Sequence, residues 1–140
     1  MKKLKLSVSI EENYCLLGIS TDEPDYKLCW RINDRLKMSF VKTDDLCVKH
    51  RKSGEEQSFP LFQFEDDNTM LTYRIIGNRS EAGYFLPELK NVDYLLHIQG
   101  DLVQDDLKEL VAKLMALPSI RMCIPVDLGR IKERDRLQLW

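Results

Sequence analysis

The chain has 140 residues, 44% hydrophobic and 31% charged, with a formal net charge of −2. That length suits one core, that balance excludes a disordered chain, and the slight negative charge excludes nucleic-acid binding driven by bulk charge. No apolar run approaches the ~18 residues of a membrane-spanning helix.

Residues 2–9 alternate Leu4, Leu6 and Val8 against Lys3, Lys5, Ser7 and Ser9, which predicts a half-buried strand. The N-terminal lysines have the charge of a secretion signal, but Ser7, Ser9, Glu11 and Glu12 interrupt any apolar stretch that would complete one. Residues 14–19 (YCLLGI) predict a second strand. Ser20 to Pro24 looks like a helix start, with proline tolerated in the first turn. Over 25–38, Leu28, Cys29, Ile32 and Leu36 fall on one face of a helix. Trp30 lies off that stripe, either covering a sheet edge or facing solvent.

From Ser39 onward the pattern is strands and turns. Residues 40–41 and 46–48 are short candidates, and 51–56 is a polar turn. Residues 58–65 (SFPLFQFE) and 69–77 (TMLTYRIIG) are aromatic and β-branched, joined by Asp66-Asp67-Asn68 as a hairpin. Pro60 removes a backbone donor and so marks an edge or a bulge. Residues 78–91 are irregular, with one helical turn expected at Pro87-Glu88. A strand follows over 92–99. Leu107, Leu110, Val111, Leu114 and Leu117 then predict a helix, with Asp101 and Gln104 resembling a capping box and Pro118 ending it. A last strand over 119–126 carries Pro125, another edge signal, and a short charged helix is expected from Asp127 to about Arg134.

The expected fold is one α+β domain over 1–140: a single mixed, largely antiparallel sheet of about six strands, two main helices packed on one face, and a short C-terminal helix. A ferredoxin-like arrangement is expected for the C-terminal half.

Residues 86–94 read Leu86-Pro87-Glu88-Leu89-Lys90-Asn91-Val92-Asp93-Tyr94. They resemble the signature that names the bacterial IPExxxVDY family, with Pro87, Glu88, Val92, Asp93 and Tyr94 matching and Leu86 in place of isoleucine. The DYKLCW stretch at 25–30, Asn78-Arg79-Ser80-Glu81 with Gly83, and Gly100-Asp101-Leu102 are similar too. The resemblance spans most of the chain. It implies a small cytoplasmic protein and no defined activity.

Two readings of these residues stay open. In the structural one, Asp93 or Glu88 accepts hydrogen bonds from exposed backbone N–H groups or pairs with Arg79, and Tyr94 anchors in the core with its hydroxyl satisfied. In the functional one, Asn78, Arg79, Glu81, Glu88, Asp93 and Tyr94 form a recognition patch for a protein partner.

Catalytic and ligand-binding patterns are sparse. Cys15, Cys29, Cys47 and Cys123 form no CxxC pair and are expected as reduced, core-packing residues; no metal ligand set and no cofactor motif is present. Nucleophilic chemistry would need a base beside a thiol, for which His97 and Cys123 on neighbouring strands are the one candidate, as in a small hydrolase or transferase. Lys49, His50, Arg51 and Lys52 form a basic turn able to touch RNA phosphates, with Phe62, Phe64 and Tyr73 as conceivable stacking platforms. A second basic run, Arg130 to Arg136, alternates with acids as solvated faces do. The leading expectation is a non-enzymatic interaction or regulatory module using 78–94, with self-association through an edge strand as one form of partnering. An RNA-binding accessory protein is the alternative.

Overall fold

The computed structural model describes residues 14–138 apart from 51, 82 and 133. The strand expected over 2–9 lies outside them. Apolar residues on both sides of the pleat make Tyr14–Thr21 (β1) and Tyr94–Gln99 (β9) central strands, since a strand covered on two faces needs no polar alternation. They pair antiparallel from Tyr14↔Gln99 to Ile19↔Tyr94. On one flank β1 pairs with Ile120–Pro125 (β10). On the other, β9 pairs with Leu71–Gly77 (β6), which pairs with Leu61–Asp66 (β5) and then the two-residue Val41–Lys42 (β2). The order is β10-β1-β9-β6-β5-β2.

Every described pairing is antiparallel, so the mixed sheet is not found. The physical reason is that β1 lies between β9 and β10. Those two strands run parallel to each other, as a helical crossover requires, but never touch. With Asp25–Leu36 (α1) after β1 and Gln104–Met115 (α2) after β9, the set β1-α1-β6-β9-α2-β10 forms a ferredoxin-like core. The arrangement therefore includes β1 and is not confined to the C-terminal half.

Alternate residues face two separate clusters. Leu17, Ile19, Ile75, Leu96 and Ile98 join Leu28, Cys29 and Ile32 of α1 and Leu107, Leu110 and Leu114 of α2. Leu16, Leu61, Ile76 and Leu95 join Phe59, Phe85, Leu86, Val92, Ile131 and Leu137 from non-helical segments. Each such side chain contributes about 1.5–3 kcal/mol by leaving water.

Several local expectations are corrected. Pro60 does not interrupt one strand but separates two: Glu56–Phe59 (β4) pairs with Leu46–Lys49 (β3) outside the main sheet. The Pro60 ring packs on Gly77, where a Cβ would lie 2.8 Å from it. The α2 N-cap is Val103 rather than Asp101. Arg79–Ser80 (β7) and Gly83–Tyr84 (β8) form a small hairpin in the stretch expected to be irregular. The C-terminal helix is replaced by two 3-10 turns, Leu128–Arg130 and Arg134–Gln138. Cys47 is exposed rather than core-packed, Cys15 is half-buried, and Trp30 faces solvent at 63% exposure.

Candidate recognition cleft

The 78–94 segment is organised from inside by Asn78, which is fully buried. Its carboxamide donates to the carbonyls of Leu89 (2.8 Å) and Val92 (3.0 Å) and accepts from the Leu86 N–H (2.8 Å). Its own backbone donates to the Asp93 carbonyl and accepts from Phe85 N–H. Between β8 and β9 the chain has no ladder, so its buried backbone groups must find partners elsewhere, and a single amide with donors and an acceptor supplies several of them. Pro87–Leu89 forms the expected single turn, of 3-10 type. Val92 then closes on β1 at Gly18, where an added Cβ would lie 2.9 Å from a Val92 methyl.

Asp93 joins three parts of the fold. Its Oδ2 accepts from the Thr21 N–H at 2.9 Å, beside the register shift at Ser20/Thr21. Its Oδ1 takes the Arg79 guanidinium at 2.5 Å, and Arg121 of β10 stands 3.7 Å from Oδ2. Tyr94 points to the helix side and donates to the Glu23 carbonyl at 2.8 Å. Burial raises its phenol, and the nearby Asp25, Asp93, Cys29 and Glu23 raise it further. Tyr94 therefore serves as a neutral hydrogen-bond donor. Glu23 pairs with Arg31, and Asp22 with Arg121 at 2.8 Å.

These groups border an open cleft of about 320 Å³. Arg79, Asp93 and Tyr94 line it with Thr21, Asp22, Glu23 and Asp25 from the turn before α1, and Pro60 and Gly77 complete the wall. The Asp93 side chain is only 13% exposed, whereas Arg79 is 57% and Asp22 94% exposed. The buried carboxylate thus fixes the geometry, and the exposed charges present it.

The six residues expected to form one patch are divided. Arg79, Asp93 and Tyr94 meet in the cleft, and Asn78 lies buried behind it. Glu81 is exposed at the β7–β8 turn, and Glu88 accepts from the Lys132 N–H at 2.7 Å, tying down the C-terminal segment. The sequence reading missed Asp22, Glu23, Asp25 and Arg121 as neighbours of the motif. Residues 20–25 carried only a helix-start signal, and contacts across some 70 residues leave no local pattern.

The candidate thiol–imidazole pair is overturned. Cys123 lies in the helix-side cluster. His97 stacks on Tyr14 and its Nε2 donates to the Leu137 carbonyl on the opposite face. Burial, aided by Arg74, pushes His97 down to about 4, and burial pushes Cys123 up to about 11. Neither is poised as base or nucleophile at neutral pH.

Lys49, His50 and Lys52 do gather at the β3–β4 turn; Arg51 lies outside the described residues. His50 Nδ1 accepts from the Lys52 and Ser53 N–H groups at 3.2 Å each, as a turn cap. Phe62 and Tyr73 are buried in the helix-side cluster and Phe64 packs against it, so these aromatics are core residues rather than a stacking platform. Arg136 does not belong to a solvated face: it is buried, donating to the Tyr84 and Phe85 carbonyls and to Gln57.

Among the described residues, no His/Cys/Asp/Glu group is placed to hold a metal ion, and no helix is long and apolar enough to cross a membrane. Compared with models of known protein families and with curated proteins, the chain matches none.

Proposed function

We propose that the protein is a non-enzymatic, cytoplasmic interaction or regulatory module whose recognition surface is the cleft between the 78–94 segment and the turn before α1. We also infer, on the nine residues 86–94, that it belongs with the IPExxxVDY family. The observation that carries the functional reading is the pairing of a mostly buried Asp93 with an exposed Arg79 at the mouth of an open cleft. A mostly buried carboxylate holds one terminal nitrogen of the guanidinium, and the exposed remainder of that group keeps donors for a docking partner.

The division of the motif sharpens the test. Capture of partners from native lysate with immobilised protein is compared for the wild type, Arg79→Glu and Glu88→Ala. Arg79→Glu is expected to lose the specific partner, whereas Glu88→Ala, which lies off the cleft, retains it. Unchanged partners in Arg79→Glu would sink the reading. A second copy pairing along the β10 edge is the other form of partnering, although exposed Arg121 and donor-less Pro125 on that strand disfavour it. RNA binding through Lys49, His50 and Lys52 predicts salt-dependent retention on RNA; none at low salt ends it.

A further inference from the structure

Among the described residues seven large apolar side chains are exposed, and five of them stand on or beside the two helices. Tyr26 and Trp30 are on α1, Met115 is on α2 and Val103 is the α2 N-cap. Met70 closes the β5–β6 turn, where its carbonyl oxygen would lie 3.1 Å from a Cβ added at Gly100, just before that cap. Single exposed apolar residues are ordinary, but a gathering of them marks a contact surface.

The members of this gathering fall into two groups of opposite charge. Tyr26 and Trp30, 64% and 63% exposed, are four residues apart and so share one outward stripe of α1. The exposed charges of α1 and its C-cap are Lys27, Arg35 and Lys37 against Asp34 alone. The second group surrounds a groove of about 320 Å³ between the C-terminal end of α1, the β5–β6 hairpin and α2. Leu36, Leu71, Leu102 and Leu110 give it an apolar floor, and Met70 and Val103 adjoin Leu71 and Leu102 in the chain. From 101 to 109 the exposed charges are Asp101, Asp105, Asp106 and Glu109 against Lys108 alone. Of these, Asp106 and Glu109 form the groove wall, together with Lys113.

Aromatic rings set among cations complement an apolar groove walled by carboxylates. One copy does not make this contact with itself. Leu36 lines the groove, whereas Trp30 and Tyr26 precede it by six and ten residues, about 9 and 15 Å back along a rigid helix. Both groups nevertheless lie on the helix-covered side of the sheet, where Leu36 and Leu102 pack against the same cluster.

We propose that two copies of this chain pair through their helix-covered sides, Tyr26 and Trp30 of each entering the α1–α2 groove of the other. Lys27 and Lys37 then face Asp106 and Glu109 across the contact. Because each copy carries both halves on one side, a two-fold axis makes the contact twice and closes it, with no surplus surface to propagate a filament. A fully covered aromatic side chain buries about 150–250 Å², so four rings that are now mostly exposed contribute roughly 400–600 Å². The surfaces receiving them contribute about as much again, which reaches the ~1,000 Å² expected of a specific interface.

Sedimentation of the full chain over a concentration series tests this, with the mass expected to rise from that of one chain to that of two. Trp30→Ala takes a ring from both contacts and is expected to weaken association about a hundredfold or more. Asp106→Lys with Glu109→Lys reverses the groove wall and is expected to leave a monomer at concentrations where the wild type pairs. Mixing these two variants pairs an intact groove with intact rings and so restores one of the two contacts. The mixture is therefore expected to associate more tightly than either variant alone. All three residues are exposed, and circular dichroism checks that each variant is folded. Should the groove variant not fold, Tyr26→Ala on the same stripe as Trp30 decides the matter in its place. The proposal is overturned by a monomer at every concentration up to ~1 mM. It is equally overturned by a dimer that Trp30→Ala leaves unchanged, or by a mixture no heavier than its two folded components.

Discussion

The two faces of the six-stranded sheet are covered by different material, and the difference explains where the polar residues went. On one face, α1 and α2 satisfy their own backbone groups and bring only side chains, so the cluster against them is apolar from Leu17 to Cys123. On the other, short strands, 3-10 turns and connecting segments supply the cover. Their backbones leave some groups without internal partners, so buried Asn78, Arg136 and His97 stand among Phe59, Phe85 and Leu137 to pair with them, and buried Gln57 accepts from Arg136. A non-helical cover costs about one buried polar side chain for every few unpaired backbone groups, because each group left unsatisfied would cost about 1–3 kcal/mol. The candidate cleft opens at the margin of this second cover.

The comparison breaks most sharply at Asn78. Asn78→Ala strands the Leu86 N–H and removes a donor from the Val92 carbonyl, while the Leu89 carbonyl keeps the Val92 N–H, and should lower stability by roughly 2–5 kcal/mol in urea unfolding. A loss below about 1 kcal/mol would mean that the cover does not depend on that side chain. Next comes His97. Its folded-state value of about 4 lies below the ordinary 6.5 because the ring is buried near Arg74. The unfolded chain therefore binds a proton that the folded chain refuses. Stability is unaffected above about pH 6.5 and falls as pH drops from there toward 4, by roughly 3 kcal/mol in total. His97→Gln should flatten that part of the unfolding-midpoint profile against pH, and an unchanged slope would place the acid sensitivity elsewhere. Smallest is Arg79→Ala. An exposed guanidinium contributes little to folding, so the change should stay within about 1 kcal/mol by thermal melting even as the proposed recognition is lost.

What was legible in the sequence follows the range of each interaction. The α1 stripe Leu28, Cys29 and Ile32 and the α2 stripe Leu107, Leu110 and Leu114 were readable because helical contacts repeat within a few residues. The Asp66–Asn68 turn was readable for the same reason, with the Asp66 side chain accepting from the Asn68 N–H. Asp93 does both things expected of it, accepting from a backbone N–H and pairing with Arg79. Which N–H was not legible, since Thr21 lies 72 residues away. Pro60 looked like an irregularity within a strand and proved to be the hand-over between two sheets. Arg136 followed the alternation of a solvated surface, and only the backbone carbonyls of the β8 region reveal why it is buried.

The place of β1 between β9 and β10 has a consequence for how the chain acquires its structure during synthesis. Tyr14 pairs with Gln99, and Leu17 with Pro125. The first described strand therefore waits for its neighbours until most of the chain has been made. Until then Leu16, Leu17 and Ile19 belong to a strand with two open edges, a state that favours aggregation or chaperone capture. Closing such distant contacts makes folding slow for a chain of this size. Fusions or stalls that retain residues 94–125 in the ribosome should hold back the whole sheet, rather than its last strands alone.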